Sequence, residues 1–144
     1  MNYLLIILIF TLSIFSAKAE PIDTSMTQQI NSEINQDNII DNIAAAINSG
    51  DAKKLASYFN ASIDLTVPGS EGTFSKSQSE MIVKNFFSHY PPLSFVVNQK
   101  GSSTEGSLFA IGKLTTKSTT FRTYFLVKKT NNILLIHQLQ FEEE

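Results

Sequence analysis

A chain of 144 residues with 11 Lys+Arg, 13 Asp+Glu and a formal net charge of -2 has room for one domain and carries no basic field for nucleic acid. It contains no Cys, which excludes a disulfide framework, a thiolate nucleophile and a Cys-ligated metal. His89 and His137 are its 2 imidazoles, too few to argue for a buried catalytic zinc.

Tyr3 to Phe15 is an almost unbroken apolar run, followed by Ala17-Lys18-Ala19, a small-x-small cleavage signal. The run is shorter than the roughly 20 residues a membrane-crossing helix needs. Residues 1–19 therefore read as a secretory signal peptide cut after Ala19, with an uncleaved anchor as the alternative. No Cys follows the cut, so lipoprotein anchoring is excluded. The mature chain loses one base, Lys18, and is expected in the periplasm or outside the cell. No basic amphipathic helix suggests stable membrane insertion after cleavage.

Residues 20–35 are polar and read as a flexible leader that turns helical in its second half. The remainder, 36–144, reads as a single α+β domain. Gln36 to Asn48 places Ile39, Ile40, Ile43, Ala46 and Ile47 on one stripe at helical spacing, and Gly50 can take the left-handed cap position. Asp51 can cap a second helix over Ala52 to Phe59. Ile63, Leu65 and Val67 alternate with Asp64 and Thr66, the mark of a strand with one buried face. Pro68 to Gly72 breaks it. Ser75, with Gln78 at the capping-box position, opens a third helix that Tyr90-Pro91-Pro92 closes.

The rest alternates as strands: Leu93–Gln99, Ser107–Thr116, Thr119–Lys129 and Ile133–Glu142, the last two joined at Thr130-Asn131-Asn132. The expected core is Ile43, Ile47, Leu55, Phe59, Ile82, Phe86 and Phe125.

Several stretches carry a family resemblance: Ala46 to Leu55 with Tyr58-Phe59, Gly69 to Gln78, Phe86-Phe87 through Pro91-Pro92, Phe121 to Leu126, and His137-Gln138-Leu139. Together they span about Asp37 to Glu142. The chain resembles the exported Bacteroidetes proteins of the domain-of-unknown-function family 4783, within the nuclear-transport-factor-2-like (cystatin-like) superfamily. The resemblance implies a cone, with N-terminal helices packed on a curved antiparallel sheet and a pocket between them. It carries over no catalytic residue, because the fold hosts isomerases, dehydratases, transport proteins and association domains alike.

Candidate site residues are the polar groups that interrupt apolar strands and helices. His137 shares parity with Ile133, Leu135, Leu139 and Phe141, which would turn it inward, either as a hydrogen-bonded core histidine or as a pocket group. Tyr58 is the aromatic donor that could meet it there, and the two form the candidate ligand pocket. Arg122 and Tyr124 share the more polar face of their strand and form a candidate surface patch: plain sheet surface, a dimer contact or a ligand patch. Asp64 alternates against apolar neighbours and reads as a surface acid, with a general base as the sharper alternative. His89 reads as a helix-terminal cap. Gly69-x-x-Gly72 reads as a turn, since no Lys-Ser/Thr of a nucleotide loop follows.

These readings lead to an exported, non-enzymatic domain that binds a small apolar ligand or a protein partner, with a homodimer through the sheet among the options. No metal or other cofactor is implied. The alternative is an isomerase- or dehydratase-like enzyme, which would need Asp64 or His137 desolvated in the cone beside a Tyr or a second acid.

Overall fold

A computed structural model describes residues 24–144, without the side chains at 32–34 and 37. The expected signal peptide over residues 1–19 and its expected cleavage site lie outside the described residues.

Helix α1 runs Thr24–Ser49, so it begins within the segment read as a leader. Only its second half packs: Ile40, Ile43, Ala46 and Ile47 are buried, whereas Met26 and Ile30 are exposed. Gly50 ends it at φ +65°, where the Gly50 N–H donates to the Ile47 carbonyl and the Asp51 N–H to that of Ala46. The Asp51 carboxylate then accepts from the Lys54 N–H at 2.9 Å and caps α2, Ala52–Ala56. This helix is shorter than its apolar spacing suggests, because Phe59 already belongs to β1, Phe59–Val67.

Pro68-Gly69 is a hairpin turn leading into β2, Ser70–Ser75, a strand the Gly- and Ser-rich sequence conceals. Helix α3, Lys76–His89, opens on the expected capping box between Ser75 and Gln78. Strands β3 (Pro92–Ser102), β4 (Leu108–Thr116), β5 (Thr120–Thr130) and β6 (Ile133–Glu143) follow as expected to within a few residues. Asn131 and Asn132 both take positive φ in the β5–β6 turn, as a two-residue hairpin of that hand requires.

The sheet corrects the expected cone. It is one open six-stranded sheet in the order β2-β1-β6-β5-β4-β3, leaving β2 and β3 as free edges. It is neither closed nor strongly curved. Nor is it wholly antiparallel: β1 and β6 pair in parallel. That pair joins the first strand to the last, and alternation within either segment carries no signal of it.

Helices and sheet enclose an aromatic core. Phe86 of α3 lies 4.6 Å from Phe141 and 5.1 Å from Phe121, ring centroid to centroid. Phe59 and Phe125 complete the interior at 1% and 0% exposure. All the expected core residues are buried except Ile82, which is half-buried at its margin. Asn48 ties α1 to the edge strand, its Oδ1 accepting from the Phe95 N–H at 2.8 Å.

Candidate functional site

Three surfaces compete as the working site: the space between helices and sheet, the helix-free face of the sheet, and a groove beside α1. The first is filled. Phe59, Phe86, Phe121, Phe125 and Phe141 occupy it, and its buried polar groups include Thr123, whose hydroxyl finds no protein partner.

His137 does not face that interior. Val127 pairs with Ile136 and Leu126 with Gln138, so His137 is the unpaired extra residue of a β-bulge. The bulge lets Ile136 and Leu139 both point inward and turns His137 off the parity it would have on a regular strand. Strand β1 is also irregular here, advancing from Phe59 to Asp64 while β6 advances from Ile136 to Gln138. The two irregularities leave a depression of about 220 Å³ lined by Asp64, Thr73, Lys128, His137 and Gln138, among others. His137 Nε2 lies 3.0 Å from Thr130 Oγ1 in a hydrogen bond. Partial burial, then the Lys128 charge, hold its pKa below the ordinary 6.5, against a smaller upward pull from Asp64. Asp64 is exposed and accepts from the Thr73 hydroxyl at 2.6 Å.

Tyr58 sits elsewhere. It is half-buried where α2 passes into β1 and lines a groove of about 750 Å³ between α1 and the β5–β6 hairpin. Tyr58 and His137 therefore border different depressions, and the histidine's hydrogen-bond partner is Thr130. The sequence reading did not single out Asn35, Asn38 and Asn42 of this groove. Their spacing of three and four residues on a helix was the available signal.

Arg122 and Tyr124 do share the helix-free face. Arg122 is exposed, 3.8 Å from the Glu142 carboxylate, and Tyr124 is half-buried. Tyr124 pairs across the sheet with Ile111 of β4 and Gln140 of β6, and the neighbouring rung joins Leu126 to Phe109. Phe109 and Ile111 also went unremarked in the sequence, although their alternation with buried Leu108 and Ala110 places them on this face. His89 fulfils the helix-end expectation, its Nδ1 2.8 Å from the Asn85 carbonyl.

No group of His, Asp or Glu among the described residues is arranged to hold a metal ion. No helix among them is long and apolar enough to cross a membrane.

Known structures give this architecture a place. A crystal structure of a DUF4783 family protein from Bacteroides uniformis ATCC 8492 is 29% identical at a TM-score of 0.68, covering 72% of this chain and 95% of that one. One from Bacteroides ovatus ATCC 8483 is 28% identical at a TM-score of 0.68, covering 72% and 93%. An NTF-2 like protein of unknown function from Silicibacter pomeroyi DSS-3 shares the fold at 11% identity and a TM-score of 0.53, over 83% of this chain and 98% of that one. No curated protein matches the chain. The family model described as "Domain of unknown function (DUF4783)" matches residues 40–142. With helices on one side of a mainly antiparallel sheet, a fold shared with NTF-2 like proteins, and that match across nearly the whole folded region, the chain belongs to the DUF4783 family.

Proposed function

We propose that this is an exported, non-enzymatic association domain, and that the helix-free face of its sheet binds a second copy of the chain. The observation that carries the reading is the cross-strand block Phe109–Leu126 and Ile111–Tyr124, apolar and half-exposed on a face no helix covers. Its rim bears both charges: Arg122 beside Glu142, and Lys113 3.0 Å from Glu144. A two-fold contact brings the same patch against itself, so a rim with both signs can pair with its own copy. Arg and Tyr are residue types enriched at such contacts.

Two features favour association over chemistry. An isomerase- or dehydratase-like site needs a desolvated base beside a donor. Here the interior where such a base would sit is packed with phenylalanine, and Asp64 is exposed. Export rests on the sequence of residues 1–19, and intact mass of the protein from the native envelope should show a chain beginning at Glu20.

Sedimentation equilibrium of the mature chain tests the association. The expected result is a monomer–dimer equilibrium that Tyr124→Glu abolishes without lowering the thermal midpoint appreciably. A monomer at every concentration, or a dimer indifferent to Tyr124→Glu, would overturn it.

A further inference from the structure

We propose that the groove between α1 and the β5–β6 hairpin binds a peptide segment with aliphatic side chains, its backbone held by asparagine amides. This site is separate from the sheet face, and the proposal does not depend on association there.

The groove's volume of about 750 Å³ falls within the roughly 300–1,000 Å³ typical of ligand sites. Its floor is apolar and only half-covered: Ile39 from α1, Tyr58, and Leu134 and Leu135 from β6. Ile133 stands at the lip at 60% exposure.

The walls are amides. Asn35, Asn38 and Asn42 lie on one face of α1, and Asn132 faces the same groove from the hairpin turn. A primary amide offers two donors and two acceptor sites, the complement of a peptide unit's N–H and C=O. None of these amides is hydrogen-bonded to another described residue. Their hydrogen-bonding capacity therefore faces solvent along an apolar strip.

The lining also discriminates by charge. Among the described side chains, its ionisable groups apart from the Tyr58 phenol are Glu105 and Lys129, one of each sign. Such a balance gives no net attraction for a polyanion or a polycation. Between the remaining neutral ligands the floor decides. A saccharide needs aromatic platforms for its C–H faces, and Tyr58 supplies a single ring among aliphatic residues. Aliphatic side chains on a neutral backbone match both floor and walls.

The test is an amide NMR titration of the ¹⁵N-labelled mature chain with a defined set of blocked hexapeptides. These alternate Leu, Ile or Val with Ser or Gly, and maltohexaose serves as the comparison. Saturable shifts are expected at Asn38, Asn42, Tyr58 and Leu134 with the peptides. A double variant, Asn38→Asp with Asn42→Asp, changes exposed positions; it should weaken peptide binding at least tenfold with an unaltered fold by circular dichroism. Ile133→Ser should weaken it as well, by a route that adds no charge. Tyr124→Glu should leave it unchanged, which separates this site from the sheet face. No peptide shifts at millimolar concentration, shifts with maltohexaose alone, shifts outside the groove, or affinity indifferent to both groove variants would each overturn the proposal.

Discussion

Strand β5 shows the two faces of this protein within one stretch of chain. Phe121, Thr123, Phe125 and Val127 are fully buried against the helices, whereas Arg122, Tyr124, Leu126 and Lys128 lie on the other side, half-buried or exposed. The period-2 geometry of a strand makes this division automatic. What differs is how each face is finished: one is sealed by aromatic packing, the other keeps apolar side chains beside charges and open to solvent. Changes on the first face should therefore register in folding, and changes on the second in association.

The most severe break of that contrast is Phe86→Ala. Phe86 is 4% exposed and touches the rings of Phe87, Tyr90, Phe121 and Phe141. Its removal forfeits transfer energy and leaves a cavity, for about 3–5 kcal/mol of lost stability by chemical denaturation. A loss below about 1 kcal/mol would mean that the helix layer can collapse onto the sheet without this ring.

Two glycines sharpen the comparison. A Cβ at Gly112 would come within 2.5 Å of the Phe95 ring and 2.7 Å of the Val96 carbonyl oxygen, and backbone cannot step aside as a side chain can. At Gly101 the obstacle is the Phe109 ring at 2.7 Å, a half-exposed side chain on the helix-free face. Gly112→Ala should cost about 1–3 kcal/mol, as overpacking does. Gly101→Ala should cost less, because Phe109 can swing outward. Equal thermal-midpoint losses in the two variants would remove the distinction between a closed and an open face.

Much of this organisation was legible in the sequence because it is local. The stripe Ile40–Ile43–Ala46–Ile47, the Gly50 cap, the Ser75–Gln78 box and the Asn131-Asn132 turn each act within a few residues. The placement of His137 was not legible. Its parity was read correctly, but the extra residue in β6 breaks the period exactly where parity would have decided its direction. The parallel β1–β6 pair and the open sheet escaped for a related reason: strand neighbours distant in sequence leave no mark on the alternation of either one. Tyr58 was read as a packing residue and an aromatic donor to His137, yet it is half-buried among neighbours contributed by α1 and a distant hairpin. Pairing it with His137 needed exactly that long-range information.

Thr123 offers a smaller test of the sealed face. Its hydroxyl is buried without a protein partner among apolar neighbours, so it bears a desolvation cost. Thr123→Val keeps the shape and removes the polar atom. The expected result is a gain of about 1 kcal/mol in denaturation free energy. A loss instead would mean that the hydroxyl is satisfied, by a buried water for example.

The smallest expected effect concerns His137, set at the irregular rim of the open face. His137 has a pKa below 6.5, first because burial disfavours the imidazolium and second because Lys128 repels it, while Asp64 pulls the other way. The folded protein thus prefers the neutral ring, and the unfolded chain binds the proton more readily. Its contribution to stability is fully present above pH 6.5 and is lost as pH falls through the depressed folded value. Measured by denaturation at successive pH values, the native chain should lose stability relative to His137→Gln across that window. The imidazole's NMR midpoint should lie below 6.5, rise in Lys128→Ala and fall further in Asp64→Ala. The Lys128 result is the more telling, since removing a repelling charge leaves the imidazole as buried as before: the midpoint should move only part of the way back. Parallel stability curves for native and His137→Gln, or a midpoint indifferent to both neighbours, would show that the bulge leaves His137 in ordinary solvent.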